Sequence, residues 1–177
     1  MPDLPAFVMD TPLHSSFDQD IRDTHLLYDY DARDANGNPE KWRYEMWFFN
    51  ENRIVYAIHG GPMKGRLNTQ QASYQCIRPG EIWQCSWLEE TGTICSLVYD
   101  IPNKKISTLL GFSKGHWEHA TEAHGDKRNP EDFNRWRGLA KIGTQIERLM
   151  LSEQADIVEA FKGKGDLEPY DPDMPTL

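Results

Sequence analysis

Three places along the 177-residue sequence carry side chains that could act on a small molecule. The first is Thr24-His25-Leu26-Leu27-Tyr28-Asp29-Tyr30. In an extended strand Tyr28 and Tyr30 share one face with Leu26, while His25, Leu27 and Asp29 take the other. Two neighbouring phenols can present a pair of hydroxyl donors at the edge of an apolar cavity. The plainer outcome is two half-buried tyrosines with their hydroxyls in solvent. The second place is Tyr56-Ala57-Ile58-His59-Gly60-Gly61-Pro62-Met63-Lys64-Gly65-Arg66, where three glycines bend the chain and allow close backbone approach. Arg66 follows the bend, and its guanidinium could meet a carboxylate with two parallel donors. Taken alone it reads as a surface arginine. The third is Trp83-Gln84-Cys85-Ser86-Trp87-Leu88-Glu89-Glu90-Thr91-Gly92-Thr93. Glu89 falls on the strand face of Trp83, Cys85 and Trp87, and a carboxyl held among rings can keep a proton to donate near neutrality. The competing reading ends the strand at Leu88 and leaves Glu89 and Glu90 as solvated turn charges.

The six histidines raise a metal question, because His116-Trp117-Glu118-His119 places two of them three residues apart. In a strand they face opposite sides and cannot share an ion, whereas on a helix they could, with Glu122 or His124 as a third ligand. No His-Glu-x-x-His, phosphate-cradling glycine loop or Gly-x-Ser-x-Gly elbow is present, so a metal site is not expected and a nucleotide enzyme or an esterase is disfavoured. Cys76, Cys85 and Cys95 are odd in number and lack Cys-x-x-Cys spacing, which reads as reduced, apolar side chains.

The elements that must position these residues are mostly strands. Residues 1–22 read as an N-terminal arm without a steady period. From Asp23 short runs with period-two alternation suggest strands at 24–31, 42–50, 53–60, 65–77, 81–89, 93–100 and 104–112, with 114–120 as a further candidate. Asn36-Gly37, Asn50-Glu51-Asn52, Pro79-Gly80, Glu90-Thr91-Gly92 and Pro102-Asn103-Lys104 punctuate them. A meander of about eight strands tends to close into a small antiparallel barrel that holds packed side chains or one small ligand. A helix is expected from Asn129-Pro130-Glu131-Asp132, with Asn as N-cap, Pro at N1 and Phe133, Trp136, Leu139 and Ala140 at helical spacing. Residues 144–162 fit helix or strand, with Ile157–Phe161 as a possible last strand, and the tail from Gly163 reads as irregular. One domain over residues 1–177 is the expectation: arm, barrel meander over 23–120, then helix, last strand and tail.

The blocks His25-Leu26-Leu27-Tyr28-Asp29-Tyr30, Trp42-Arg43-Tyr44-Glu45, Tyr56 to Arg66, and Ser86-Trp87-Leu88-Glu89-Glu90-Thr91-Gly92-Thr93 occur in the order that resembles the phenolic acid decarboxylase family. The similarity spans about residues 24–120. It implies a lipocalin-like barrel, a homodimer, and cofactor-free decarboxylation of para-hydroxycinnamic acids such as ferulic, p-coumaric and caffeic acid to 4-vinylphenols. By motif, the functional positions implied are Tyr28, Tyr30, Arg66 and Glu89, with Tyr44, Tyr56, Trp87 and Leu110 in the substrate pocket. The chain departs from shorter bacterial members in its long arm, an insertion around residues 31–41, and Glu90 beside Glu89.

Those residue types suit the implied reaction. A para-phenolate can push charge through the ring and make the alkene carbon beside the carboxylate basic. Protonation there gives a quinone methide, from which carbon dioxide leaves as the ring regains aromaticity. Tyr28 and Tyr30 could stabilise the phenolate and Glu89 could protonate the alkene, with Arg66 orienting Glu89 and substrate. The opposite pose, tyrosines on the carboxylate and Glu89 with Arg66 at the phenol, stays open. The runner-up is a non-catalytic carrier of small aromatic ligands, since a barrel alone does not fix function.

Composition narrows the partners. Nineteen Lys+Arg against 28 Asp+Glu give a net charge of −9, which disfavours nucleic-acid binding through a basic surface. No run of about 18 apolar residues spans a membrane, and Met1-Pro2-Asp3-Leu4-Pro5 lacks the pattern of a signal peptide, so a cytoplasmic protein is expected.

Overall fold

The computed structural model of the protein describes residues 11–177, so the first ten residues of the expected arm lie outside the described residues. Alternating inward and outward side chains build the meander: β1 (Thr24–Arg33), β2 (Pro39–Asn50), β3 (Arg53–Ile58), β4 (Arg66–Arg78), β5 (Ile82–Leu88), β6 (Ile94–Asp100) and β7 (Lys105–Ser113). Each pairs antiparallel with the next. A two-residue strand, β8 (Gly125–Asp126), runs parallel to the start of β4, and β9 (Arg148–Lys162) closes the barrel between β7 and β1. The result is a closed eight-stranded antiparallel barrel, as the turn spacing predicts.

Leu26, Tyr28 and Tyr30 of β1 point inward, as do Trp83, Cys85 and Trp87 of β5 and Cys95, Leu97 and Tyr99 of β6. Up-and-down connectivity places the ends of β1, β3, β5 and β7 on the same rim as the starts of β2, β4, β6 and β9. The opposite rim is stoppered by a helical turn, α1 (Phe17–Asp20), inside the segment expected to be unstructured. Phe17 meets the rings of Tyr74 and Trp83 edge-on at 5.1 and 5.9 Å, and Asp20 accepts from Trp83 Nε1 at 2.9 Å. Fully burying such an aromatic side chain is worth roughly 1.5–3 kcal/mol, which favours docking of this turn on the barrel.

The functional rim carries α2 (Lys114–Glu118), a 3₁₀ turn (Ala120–Ala123), β8 and α3 (Pro130–Leu139). The expected strand at 114–120 is therefore helical. Ser113 ends β7 and caps α2, its hydroxyl accepting from His116 N at 3.2 Å, and Gly115 lets α2 sit against the end of α3. A Cβ at Gly115 would lie 2.1 Å from Leu139 O. Helix α3 starts as predicted, with Asn129 Oδ1 accepting from Glu131 N at 3.0 Å and Pro130 in the first turn. The ambiguous stretch 144–162 resolves as a strand from Arg148, longer than the expected Ile157–Phe161. The irregular tail packs Leu167 and Tyr170 on Trp47, Val55 and Ala57 outside the barrel. Nearby, Phe161 stacks at 4.5 Å on His25, which is fully buried on the outward face of β1.

Candidate active site

Strand β1 carries Tyr28 and Tyr30 into the barrel because both sit on its inward period, and β2 places Tyr44 directly opposite Tyr28. Their rings pack as a cluster: Tyr28 on Tyr30 at 5.6 Å, Tyr28 on Tyr44 at 6.0 Å and Tyr30 on Tyr44 at 5.4 Å. Tyr30 Oη shares a hydrogen with Thr108 Oγ1 at 2.6 Å. Burial pushes the hydroxyl groups of Tyr28, Tyr30 and Tyr44 well above the usual phenol range. All three therefore stay protonated near neutrality and can act as donors.

The acidic end comes from two turns. In the glycine turn before β4, a Cβ on Gly60 would fall 2.8 Å from Lys41 O and 2.9 Å from Arg43 N, so only glycine lets this turn lie on β2. The turn closes with Gly65 N donating to Ile58 O at 2.8 Å, and Arg66 then enters the barrel fully buried. Strand β5 ends at Leu88, and Glu89 to Thr93 form a tight turn in which Glu89 N donates to Thr93 O at 2.9 Å. Both sequence readings of this stretch are thus half right. The strand does end at Leu88, yet Glu89 and Glu90 are both buried, at 6% and 4% exposure.

Glu89 Oε1 accepts from the Tyr56 hydroxyl, and Oε2 accepts from Arg66 Nη2 at 3.2 Å. Trp87 Nε1 and Thr91 Oγ1 approach the same carboxylate at 3.4 and 3.3 Å. Arg66 Nη1 donates to Ala123 O at 3.0 Å, and its flat face lies 4.0 Å from the Trp136 ring of α3. The apolar face of α3 therefore does more than fill space: it covers a buried cation with an aromatic ring.

Tyr28, Tyr30, Tyr44, Tyr56, Arg66, Trp87, Glu89 and Leu110, the eight positions singled out from the sequence, all line one cavity in the barrel. Met46, Ile58, Met63, Leu97 and Phe112 supply apolar wall, so the cavity has phenols on one side and a carboxyl–guanidinium pair on another. A flat aromatic acid suits such a lining.

A phenolic acid decarboxylase model matches residues 19–127, which include both tyrosines of β1, Arg66 and Glu89. The chain belongs to the phenolic acid decarboxylase family. It is 32% identical over 97 residues to "Phenolic acid decarboxylase PadC" of Bacillus subtilis, covering 54% of this chain and 55% of that protein. It is 27% identical over 89 residues to a "Probable phenolic acid decarboxylase" of Vibrio cholerae, covering 50% of this chain and 47% of that protein. The chain spans about half the length of these curated relatives. Within this family member the match stops before α3 and β9, although Trp136 of α3 touches Arg66.

Several residues at the site escape a reading of sequence. His116 lines the cavity, its Nδ1 2.7 Å from Thr93 Oγ1 and 3.0 Å from Thr91 Oγ1. Burial, with Arg66 nearby, holds its imidazole well below the usual range, so it is neutral. The ligand set imagined around it is dispersed. His119 pairs with Glu122 at the surface, His124 Nε2 lies 2.9 Å from Pro62 O, and no group of three His, Cys, Asp or Glu converges among the described residues. Asn68, Gln70 and Lys127 surround Glu90, and only a fold that brings β8 beside β4 reveals them. Among the described residues, no helix is long and apolar enough to cross a membrane.

Proposed function

We propose that the protein decarboxylates para-hydroxycinnamic acids, such as p-coumaric, ferulic and caffeic acid, to 4-vinylphenols and carbon dioxide, with no cofactor. The observation that carries this reading is the buried Glu89, bonded to Tyr56 and Arg66 and lining the same cavity as a cluster of protonated tyrosines. A passive carrier has no use for a carboxyl held among rings, whereas protonation of an alkene requires an acid.

In the proposed pose the substrate's phenol lies at Tyr28 and Tyr30. As its proton is released to solvent, their hydroxyls donate to the phenolate oxygen, in the manner of an oxyanion hole. Electron density moves through the ring and the alkene takes the Glu89 proton at the carbon bearing the carboxylate. The carbon–carboxylate bond of the quinone methide then breaks, and its electron pair restores the aromatic ring and the phenolate. Solvent protons return to the phenolate and to Glu89, so the balance is one proton taken up per carbon dioxide released. Arg66 Nη2 is taken up by Glu89 and Glu90 and Nη1 donates to Ala123 O, while Nε has no partner; with Nη2 held on Glu89, the side chain is placed to orient that carboxyl more than to grip a carboxylate that must depart. Tyr44, Trp87 and Leu110 shape the slot. Tyr56 holds Glu89.

A homodimer belongs to the same reading. Leu88, Ile94 and Met150, exposed and aligned across β5, β6, β7 and β9, adjoin an uncharged row of Ser86, Ser96, Leu109 and Ser152 that suits a second copy. Sedimentation velocity checks it: a single species at twice the chain mass supports the dimer.

The test of function is incubation of purified protein with p-coumaric acid and with its para-methoxy analogue, with and without EDTA. Formation of 4-vinylphenol from the free phenol alone, unaffected by EDTA, supports the proposal. Binding of p-coumarate without product would favour a carrier. Activity lost to EDTA would refute the cofactor-free mechanism.

A further inference from the structure

The turn that delivers Glu89 delivers a second buried carboxylate that the proposed chemistry does not use. Glu90 Oε1 accepts from Arg66 Nη2 and from Asn68 Nδ2 at 3.0 Å, and Oε2 accepts from Gln70 Nε2 at 2.6 Å and Lys127 Nζ at 3.0 Å. Four donors fill the lone-pair positions of both oxygens. Lys127 is also fully buried, and it completes its own bonds on Thr69 O and Thr176 O, both at 2.9 Å, beneath the Phe133 ring at 5.0 Å. Arg66 Nη2 thus bridges two carboxylates, one at the cavity and one behind it.

We infer that Glu90 and Lys127 are a positioning pair: Glu90 anchors the Arg66 guanidinium so that Nη2 stays on Glu89, and Lys127 neutralises the anchor. Neither residue lines the cavity, so Glu90 acts through Arg66, which does, and Lys127 acts through Glu90. The chemistry requires the pair to come together. A lone buried carboxylate beside Glu89 would add a negative charge to the site and pull Arg66 away from it, and a lone buried ammonium would be equally costly. Burial works against ionising Glu90, but Arg66 and Lys127 outweigh it and hold its carboxyl well below the ordinary range, so the anchor stays charged.

The groups facing Lys127 are Glu90, Glu89 and Arg66, together with the Gln70 amide and the Thr69 and Thr176 carbonyls. Burial brings its ammonium down to about 8, against the pull of Glu90 and Glu89 and with Arg66 adding to the fall. Below that pH Lys127 is charged and the anchor is balanced. Above it the ammonium becomes neutral, Glu90 is left to Arg66 alone, and turnover should fall.

The kinetic half of the test rests on the decarboxylase reading, and the spectroscopic half does not. Using p-coumaric acid, kcat and KM are measured from pH 5 to 10 for the wild type, Lys127→Met and Lys127→Arg, with thermal melts to establish folding. Lys127→Met should lower kcat at neutral pH by ~10-fold or more with KM within about threefold, the scale of a misplaced catalytic group. Lys127→Arg should recover most of kcat and move the alkaline limb to higher pH, because a guanidinium stays charged. Independently, nitrogen-15 spectra of the arginine side chains should show separate Nη1 and Nη2 signals for Arg66 in the wild type. In the nearly isosteric Glu90→Gln those signals should merge as rotation is freed. Full kcat in a folded Lys127→Met, an alkaline limb unmoved in Lys127→Arg, or Arg66 signals that stay separate in Glu90→Gln would each overturn the inference. Absence of wild-type turnover would defeat the functional reading and leave the spectra to decide this one.

Discussion

Replacing Tyr56 by Phe removes one oxygen from the site and little else. The Tyr56 hydroxyl donates to Glu89 Oε1 and accepts from Asn68 Nδ2 at 3.0 Å. Asn68 keeps its second acceptor, Glu90 Oε1, at 3.0 Å, and Glu89 keeps Arg66 at 3.2 Å. The ring stays packed against Trp87, 6.2 Å between centroids, so the barrel wall is preserved. What is lost is one buried hydrogen bond to the Glu89 carboxyl, and leaving Oε1 without it costs about 1–3 kcal/mol. If that bond aims Glu89 at the alkene, the loss appears in the chemical step as a fall in kcat of about 5- to 150-fold. KM should move by less than about threefold, because the bond is to the acid and uniform substrate binding is unchanged. Steady-state formation of 4-vinylphenol, monitored by chromatography across p-coumarate concentrations, separates the two constants, and a urea titration reads stability. A loss of about 1–2 kcal/mol in stability is compatible with the reasoning. A Tyr56→Phe protein with wild-type kcat, or one in which KM alone rises, would refute it and return Tyr56 to the role of a pocket wall.

Other perturbations follow from the same contacts. Tyr28→Phe should lower kcat by ~10²-fold, the usual cost of one oxyanion donor, when 4-vinylphenol formation is followed at saturating substrate. Gly60→Ala should destabilise the protein by about 1–3 kcal/mol in urea unfolding, since its Cβ meets the backbone of β2 at 2.8 Å. The Glu90 carboxyl has a folded value lowered from 4.5, so its stabilisation is complete above that pH and is lost as pH falls towards the folded value. Unfolding at pH 6 and pH 3 should therefore show the wild type losing more stability than Glu90→Gln over that interval.

Much of the barrel was legible because period-two alternation and turn residues are local signals. Spacing alone puts Tyr28 and Tyr30 on one strand face, which the closed barrel turns inward, and Asn129-Pro130 marked the start of α3. What escaped depended on contacts between distant segments. Strand β9 buries Ala155 and Ile157 but leaves most of its length exposed, so its sequence shows no clean alternation. The helix at 114–118 depends on a single capping serine and on Gly115 against Leu139. His25 looks outward by register and is buried only because Phe161 and the segment around Gly165 cover it. Glu90 looked like a turn charge because its partners lie 20, 22, 24 and 37 residues away in sequence. Adjacent glutamates in a turn are ordinarily solvated, and only the fold shows that this pair straddles one arginine.

Glu89 as the acid that protonates the alkene is the centre of the proposed mechanism, and Glu89→Gln removes that acid. The variant keeps the shape of the side chain and one of its two acceptor oxygens, the other becoming an NH2 donor, and it has no proton of useful acidity to give. Wild type and variant are incubated with p-coumaric acid in deuterium oxide, and the product is quantified and its deuterium located. The wild type should yield 4-vinylphenol with one deuterium on the terminal vinyl carbon, and turnover should be lower by about 10²–10⁴-fold in Glu89→Gln, the range contributed by a general acid. A folded Glu89→Gln protein that turns over at the wild-type rate, or wild-type product without deuterium at that carbon, would contradict that mechanism.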